Sequence, residues 1–408
     1  MSKKTSIFFA LVLAVLLAIS SFQVLASGIT QTQGSQSIQR VVSSQGNILS
    51  FPKLYGVNLV DEDWYNWADQ QIDNELSEIR SSGFNFVRLE VYFHRLVDFS
   101  SLTFSPSYNQ IYYEKLVYIL QSLEQHGLFV EPLLMEPWKF GNVMTMWWTN
   151  QTLRSEISFF YRSFAGWLKD MSLTNIVYIT LWSEASYYYE WVDGYYVITN
   201  YLANYVQANA DWRSWLNQNG IEPVNLTITN IELYIDQYIS WSNTRFNEIT
   251  QLKEIAVEKG WPGMLVSAEM GYTNSEIGTG GSFCASEYLN CSASTYVDIL
   301  NEHDYFDSTS WAMQPYLDCN YPKTVVINEL GPPFYLGVYA NDTTEWWYYV
   351  EPKMDLAVKK GNGFAIWDWM DYTGEGGLWG LVDSNNNPRP ILQLLTAWLA
   401  NQTITYAG

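Results

Sequence analysis

The sequence is poor in charge. Only 15% of its 408 residues are Asp, Glu, Lys or Arg, against about 25% in an ordinary soluble domain. Positive charge is the scarcer sign, with 21 Lys and Arg facing 42 Asp and Glu for a net charge of −21. A nucleic-acid partner needs a basic footprint, so none is expected. Attraction to anionic lipid is disfavoured for the same reason. Histidine and cysteine occur three times each, as His94, His126, His303 and Cys284, Cys291, Cys319. No histidine lies at ligand spacing from the cysteines, so neither a metal nor another cofactor is expected. Gly-x-Gly-x-x-Gly, phosphate-loop and Gly-x-Ser-x-Gly motifs are missing. Their absence argues against dinucleotide binding, nucleotide chemistry and a serine-triad hydrolase. Nor is there a tandem repeat at the roughly 20–50-residue periods of repeat proteins.

Aromatic and apolar residues take the place of charge. Hydrophobic residues make up 48% and aromatics 17%, with 19 Trp, 30 Tyr and 19 Phe. This excludes a disordered chain and supplies a large core. It suits a neutral partner whose faces stack on Trp and Tyr.

Met1 to Ala26 reads as an export signal. Lys3 and Lys4 come first, Ile7 to Ile19 is an unbroken apolar run, and Val24-Leu25-Ala26 offers a small-residue cleavage site. The run is shorter than the roughly 20 residues that span a bilayer, and an uncleaved anchor is the competing reading. Cleavage is expected to give a secreted protein with no stable membrane association. Residues 27–50, rich in Ser, Gln, Gly and Thr, read as a linker or N-terminal arm. Residues 51–408 read as one domain, expected to be monomeric. Cys284 and Cys291 close a short loop and are expected to pair in an oxidising compartment, leaving Cys319 single. Sequons at Asn150, Asn225, Asn290, Asn341 and Asn401 fit a secreted surface.

From Phe51 onward, short β-rich runs alternate with helical stretches. The runs are Tyr55–Leu59, Phe84–Val91, Leu128–Met135, Ile176–Leu181, Met264–Ala268, Phe306–Trp311, Thr324–Ile327 and Gly363–Trp367. Several are continuous in Val, Ile, Leu and Phe, the mark of parallel strands buried on both faces. Ile72, Leu76 and Ile79 lie at helical spacing, and Tyr112–Gln125 and Leu153–Lys169 behave alike, the latter with Trp167 and Leu168 on its apolar face. The expected fold class is α/β, a single (β/α)8 TIM barrel. A long aromatic insertion follows the fourth strand and carries Trp191, Tyr195, Tyr196, Trp212 and Trp215, then a helix near Ser240–Lys259. On a barrel such an excursion sits on the active-site face. Only Ala312–Lys323 joins the expected sixth and seventh strands, close to the minimum for a parallel crossover.

Cleaving a glycosidic bond takes two carboxyl groups, which on a barrel sit at the C-terminal ends of strands. Ile176-Val-Tyr-Ile-Thr-Leu-Trp-Ser-Glu184 and Thr324-Val-Val-Ile-Asn-Glu329-Leu-Gly meet that demand. Glu136 and Glu269 also end strands, as sugar-binding groups or as salt bridges at the mouth. Arg88 lies in an apolar strand and needs a carboxylate partner, with Glu329 or Glu184 expected. Trp138, Trp147, Trp148, Trp182 and Trp367 are candidate sugar platforms, each weighed against plain packing.

These segments resemble clan A of the glycoside hydrolases, the retaining (β/α)8 enzymes that include the family 5 cellulases and mannanases. Tyr55-Gly-Val-Asn-Leu59 is similar to their first strand, and Gly83-Phe-Asn-Phe-Val-Arg88-Leu to their second, whose Arg supports the nucleophile. Leu181-Trp-Ser-Glu184 resembles the Trp-Asn-Glu of the acid/base, and Val326-Ile-Asn-Glu329-Leu-Gly331 the nucleophile strand. Gly363-Phe-Ala-Ile-Trp367-Asp-Trp with Trp379-Gly-Leu-Val-Asp383 resembles the eighth strand and its platform. Trp212-Arg-Ser-Trp-Leu216 is weakly similar to a family 42 segment.

The resemblance implies Glu184 as acid/base and Glu329 as nucleophile, with Arg88, Trp138, Trp182, Ser183, Glu269, Gln314 and Trp367 contacting or framing the sugar. Two positions depart from the pattern. Ser183 stands where the family has Asn. If Phe306-Asp-Ser-Thr-Ser-Trp-Ala-Met-Gln-Pro315 is the sixth strand, Gln314 falls where a Tyr bonds the nucleophile. A competing alignment supplies His303 and Tyr305 instead. The expectation is a secreted retaining β-glycoside hydrolase acting endo on a β-linked polysaccharide such as cellulose or mannan. An exo-acting β-glycosidase and a non-catalytic carbohydrate-binding protein remain alternatives.

Overall fold

The computed structural model describes residues 52–98, 103–104, 107–134, 151–180, 190–192, 195–197, 206–225, 231–234, 237, 240–241, 244, 265–270, 299–305, 324–333, 337–371 and 379–406. Eight parallel strands carry the fold: β1 (Leu54–Leu59), β2 (Phe86–Glu90), β3 (Phe129–Leu133), β4 (Tyr178–Thr180), β5 (Leu265–Met270), β6 (Ile299–Asp304), β7 (Thr324–Leu330) and β8 (Gly363–Ile366). Each pairs with its neighbours in chain order, and β1 pairs with both β2 and β8, which closes the order into a barrel.

Helices α1 (Asp69–Ser81), α2 (Gln110–Gln125) and α3 (Gln151–Asp170) follow the first three strands. Helix α4 (Val206–Gln218) lies between β4 and β5, and α5 (Thr343–Lys360) and α6 (Pro390–Tyr406) follow β7 and β8. The β5–β6 and β6–β7 connections lie outside the described residues. Local chemistry sets the helix starts. Asn109 accepts from Tyr112 N at the head of α2, and Asp342 from Glu345 N at the head of α5. Ile72, Leu76 and Ile79 turn the apolar stripe of α1 inward, and Phe160, Phe164 and Leu168 do the same for α3.

The barrel lumen is graded. Leu54, Phe86, Phe129, Tyr178, Ile299 and Val326 belong to a small buried cluster separate from the layer under the helices. Gly56 makes room there, because a Cβ at that position would stand 2.4 Å from Phe86 Cδ1. Two residues further along, the period-2 alternation of strands replaces apolar groups by Asn58, Arg88, Glu131, Thr180, Asn301 and Asn328, all fully buried.

The sixth strand differs from the sequence expectation. Ile299–Asp304, and not Phe306–Trp311, pairs between β5 and β7. Its inward positions, Asn301 and His303, are polar because they face that polar layer, so the run does not look apolar in sequence. Phe306–Trp311 itself lies outside the described residues. The β6–β7 connection becomes residues 305–323, comfortably above the crossover minimum.

The segment between β4 and β5 holds an antiparallel ribbon of Glu190–Val192 with Tyr195–Val197, then α4 and a single turn at Ile231–Tyr234. Trp212 stacks on Trp215 at 5.9 Å and meets Trp241 edge-on at 5.6 Å. Trp241 Nε1 donates to Asp211 at 2.9 Å. Trp212 and Trp215 are buried, so they pack this segment and do not present faces to a ligand. Of the helix expected near Ser240–Lys259, the described residues show helical turns at 240, 241 and 244.

Candidate active site

Glu329 sits near the end of β7, its side chain 10% exposed, and three side chains from β2 and the end of β6 converge on it. Arg88 Nη2 from β2 lies 3.0 Å from Oε1. Tyr305, one residue beyond β6, donates its hydroxyl to Oε2 at 2.9 Å. His303 Nδ1 lies 3.2 Å from the same oxygen.

A bulge makes this convergence possible. Glu302 pairs with Ile327, but His303 pairs with Glu329, so Asn328 is an extra residue in β7. The β7–β8 pairing slips over the same stretch, from Ile327 with Phe364 to Leu330 with Ile366. Asn328 and Glu329 can therefore both face the lumen side, where strict alternation would send one of them outward.

Arg88 is fully buried and held from below. Its Nη1 donates to Asn58 Oδ1 at 2.6 Å and lies 3.7 Å from Glu90 Oε1. Asn58 in turn donates to the carbonyls of Asn328 and Ile366, both at 3.1 Å. The guanidinium is thereby fixed to three strands before it reaches Glu329. Beside it, in register on β3, lies another buried carboxylate, Glu131. Glu131 accepts from Tyr178 at 2.7 Å, Asn301 at 2.9 Å, Asn328 at 3.2 Å and the hydroxyl of Thr180. These donors satisfy both carboxyl oxygens in the buried lumen.

At the rim, Trp367 is half-buried just past β8, its amide donating to Leu330 O at 3.0 Å. Trp379 meets Tyr305 edge-on at 6.1 Å and Tyr339 at 5.6 Å. On the β1 side Asp61 is fully buried 3.2 Å from Arg95 Nε, and it also accepts from the Tyr112 hydroxyl. Burial raises its pKa to about 7 against the opposing pull of Arg95. Asp63 is pushed up to about 7 by burial, then by the neighbouring carboxylates Glu62, Asp371, Glu75 and Asp61.

Of the residues singled out in the sequence, Arg88, Glu329 and Trp367 gather at one end of the barrel. Glu269 lies on β5 in register with Asn301 on β6. Trp138, Trp182, Ser183, Glu184, Gln314, Cys284 and Cys291 lie outside the described residues. The hydroxyl on Glu329 comes from Tyr305, and the alignment that put Gln314 in that role rested on the displaced sixth strand. Sequence reasoning passed over Asn58, Glu90 and Glu131. Their signal was a polar residue in each of three otherwise apolar strands. Among the described residues no group of three His, Cys, Asp or Glu is arranged to hold a metal ion.

A closed parallel barrel with buried carboxylates at one mouth is the fold of a large class of glycosidases. Solved structures of that class superpose on most of this chain. A GH5_18 protein from Bifidobacterium longum subsp. longum is 15% identical, with 86% of this chain and 79% of that one covered at a TM-score of 0.57. An endo-β-1,4-mannanase from Thermotoga petrophila is 14% identical, with coverage of 86% and 77% and a TM-score of 0.50. An exo-β-1,4-mannosidase from an Opitutaceae bacterium is 16% identical at a TM-score of 0.51. That match covers 90% of this chain, which spans 62% of the mannosidase's length. At these identities the likeness is one of fold. No protein family's sequence profile matches the chain, and no curated protein does.

Proposed function

We propose that this protein is a retaining β-glycoside hydrolase with Glu329 as nucleophile and Glu184 as acid/base. The observation that carries the reading is the convergence of Arg88, Tyr305 and His303 on one strand-end carboxylate. A guanidinium 3.0 Å away favours the ionised form a nucleophile needs. A hydroxyl donor at 2.9 Å orients the carboxylate. In the first step a Glu329 oxygen bonds to the anomeric carbon as that carbon's bond to the departing oxygen breaks, and Glu184 gives that oxygen its proton. In the second step water bonds to the anomeric carbon, the glycosyl–Glu329 bond breaks, and Glu184 takes the water's proton.

The substrate class we favour is a β-linked mannose-containing glycan. Endo- and exo-mannan enzymes stand among the solved structures of this fold. A variant of the Bifidobacterium protein was crystallised with Manβ1-4GlcNAc. Attack within a polymer chain is favoured over attack at its end. The complete (β/α)8 alternation, with helices in the β5–β6 and β6–β7 connections, belongs to the same proposal. So does export directed by Lys3, Lys4 and the Ile7–Ile19 run.

Tyr305 removes one of the two arguments for a non-catalytic binding protein, because the hydroxyl that Gln314 lacks is supplied from Tyr305. The test is hydrolysis of mannans, β-glucans, xylans and aryl β-glycosides by the wild type, Glu329→Ala and Glu184→Ala. Activity in the wild type that both variants lose supports the reading. Wild-type binding without hydrolysis turns it into a lectin.

A further inference from the structure

We propose that Lys353 is a positioning residue that aligns the β6 and β7 strand ends, so that Tyr305 reaches Glu329. The inference rests on Glu329 being the nucleophile. Lys353 lies mid-way along α5, outside the barrel, and its side chain is 1% exposed. Its Nζ lies 3.1 Å from Asp304 Oδ1 and donates to the Asp304 carbonyl at 3.2 Å and the Gly331 carbonyl at 3.0 Å. An ammonium has three protons, and these three contacts fall on two residues, two of them on backbone carbonyls and one on the Asp304 carboxylate. Asp304 is the residue before Tyr305, and Gly331 is two beyond Glu329.

The placement answers a mechanical problem. The β6–β7 ladder loses register at Glu302/His303, one turn of pleat before the residues that matter. Past that slip, the amide of Gly331 donates to the carbonyl of Asp304 at 3.2 Å and helps to join the two ends. Lys353 grips the same carbonyl and the next one over.

The fit it holds is tight. A Cβ on Gly331 would stand 2.6 and 2.8 Å from Tyr305 Cε1 and Cδ1, so the phenol lies directly against that glycine. Trp379 meets the same ring edge-on at 6.1 Å. The gap between the strand ends therefore sets where the hydroxyl points. A buried lysine costs desolvation that a surface lysine does not, and a plain apolar contact at this spot would not span two carbonyls.

The test uses the full chain with Lys353→Met, which keeps length and removes the charge. Two quantities are read on protein shown to be folded by near-ultraviolet circular dichroism. One is kcat and KM on an aryl β-glycoside. The other is the titration midpoint of Glu329, followed by NMR of carboxyl-labelled glutamate with Glu329→Gln as the blank. Misplacing one hydrogen bond to a charged group should lower kcat about tenfold and leave KM within about twofold. It should also raise the Glu329 midpoint, because the carboxylate loses a donor.

A folded Lys353→Met protein with wild-type kcat and wild-type midpoint overturns the proposal. If Lys353→Met does not fold, Asp304→Asn keeps the shape and removes the counter-charge. It should move both quantities the same way by less, and an unmoved midpoint there overturns the proposal equally. The titration needs no substrate. A wild type that hydrolyses nothing defeats the glycosidase reading, while the Lys353 variants still decide the alignment.

Discussion

Tyr305 and Glu329 come from neighbouring strands and meet at 2.9 Å, hydroxyl to carboxylate, with His303 Nδ1 3.2 Å from the same oxygen. The pair is drawn together by the slip that sets His303 beside Glu329. Tyr305→Phe keeps the ring against Gly331 and Trp379 and deletes only the donor. A hydrogen bond to a charged group contributes about 1.5–3 kcal/mol, so kcat should fall roughly 10–100-fold with the melting temperature nearly unchanged. Steady-state kinetics on aryl β-glycosides decide it, and an unchanged kcat would remove Tyr305 from the mechanism.

Arg88 should behave differently. It is fully buried and serves Asn58, Glu90 and Glu329 together. Arg88→Met strands buried carboxylates without their counter-charge, a loss of about 3–5 kcal/mol. Urea unfolding should show it. Adding Glu329→Gln to Arg88→Met should recover part of that loss, because the stranded charge is gone. Strict additivity of the two substitutions would refute the coupling.

Acid should stabilise the fold. Asp61 and Asp63 both titrate near 7 in the folded chain, mainly through burial, whereas an unfolded aspartate titrates near about 4. Between those values the native state holds more protons than the unfolded state, so stability falls as pH rises. Asp73 and Asp383 are shifted the other way, but they lie at the surface, where solvent screens them. The melting temperature should be highest near about pH 4–5 and decline toward about pH 8. Asp63→Asn should flatten that decline. A melting temperature that climbs over the same range would contradict the assignment.

Trp212 gives the cleanest choice between packing and binding in the aromatic insertion. It is fully buried between Trp215 and Trp241. Trp212→Ala should cost about 3–5 kcal/mol of stability and open residues 206–225 to limited proteolysis. The affinity of the remaining folded protein for oligosaccharides should not change. Lost affinity with unchanged stability would make Trp212 a platform after all.

The strands that were legible in the sequence are those whose helix-facing side is apolar, as with Val87 and Leu89 on β2 and Val325 and Ile327 on β7. Phe86-Val-Arg-Leu and Val325-Val-Ile show themselves by β-branched and aromatic runs, and Arg88 and Glu329 stand out against them. Strand β6 was not legible because Asn301, Glu302, His303 and Asp304 follow one another and leave it no apolar run beyond Leu300. Tyr305 was within reach, since His303 and Tyr305 have the spacing of a strand pair facing one side. Asn58 and Glu131 look unremarkable until the pairing sets Asn58 beside Arg88 and Arg88 beside Glu131. The role of Trp212 and Trp215 could not be read from composition, because an aromatic cluster that packs on itself looks like one that waits for sugar.

Strand β7 holds a frameshift. Up to Ile327 it keeps the same beat as its neighbours, and from Glu329 it is one residue out of phase with them. Deleting Asn328 would restore an unbroken ladder, the more regular sheet by every local criterion of pairing. It would leave Glu329 beside His303 and facing the lumen, and it would remove the Asn328 amide that donates to Glu131. The extra residue lets Asn328 brace Glu131 while Glu329 takes up its own three partners, so the number of residues in β7 is as much a part of the chemistry as their identity.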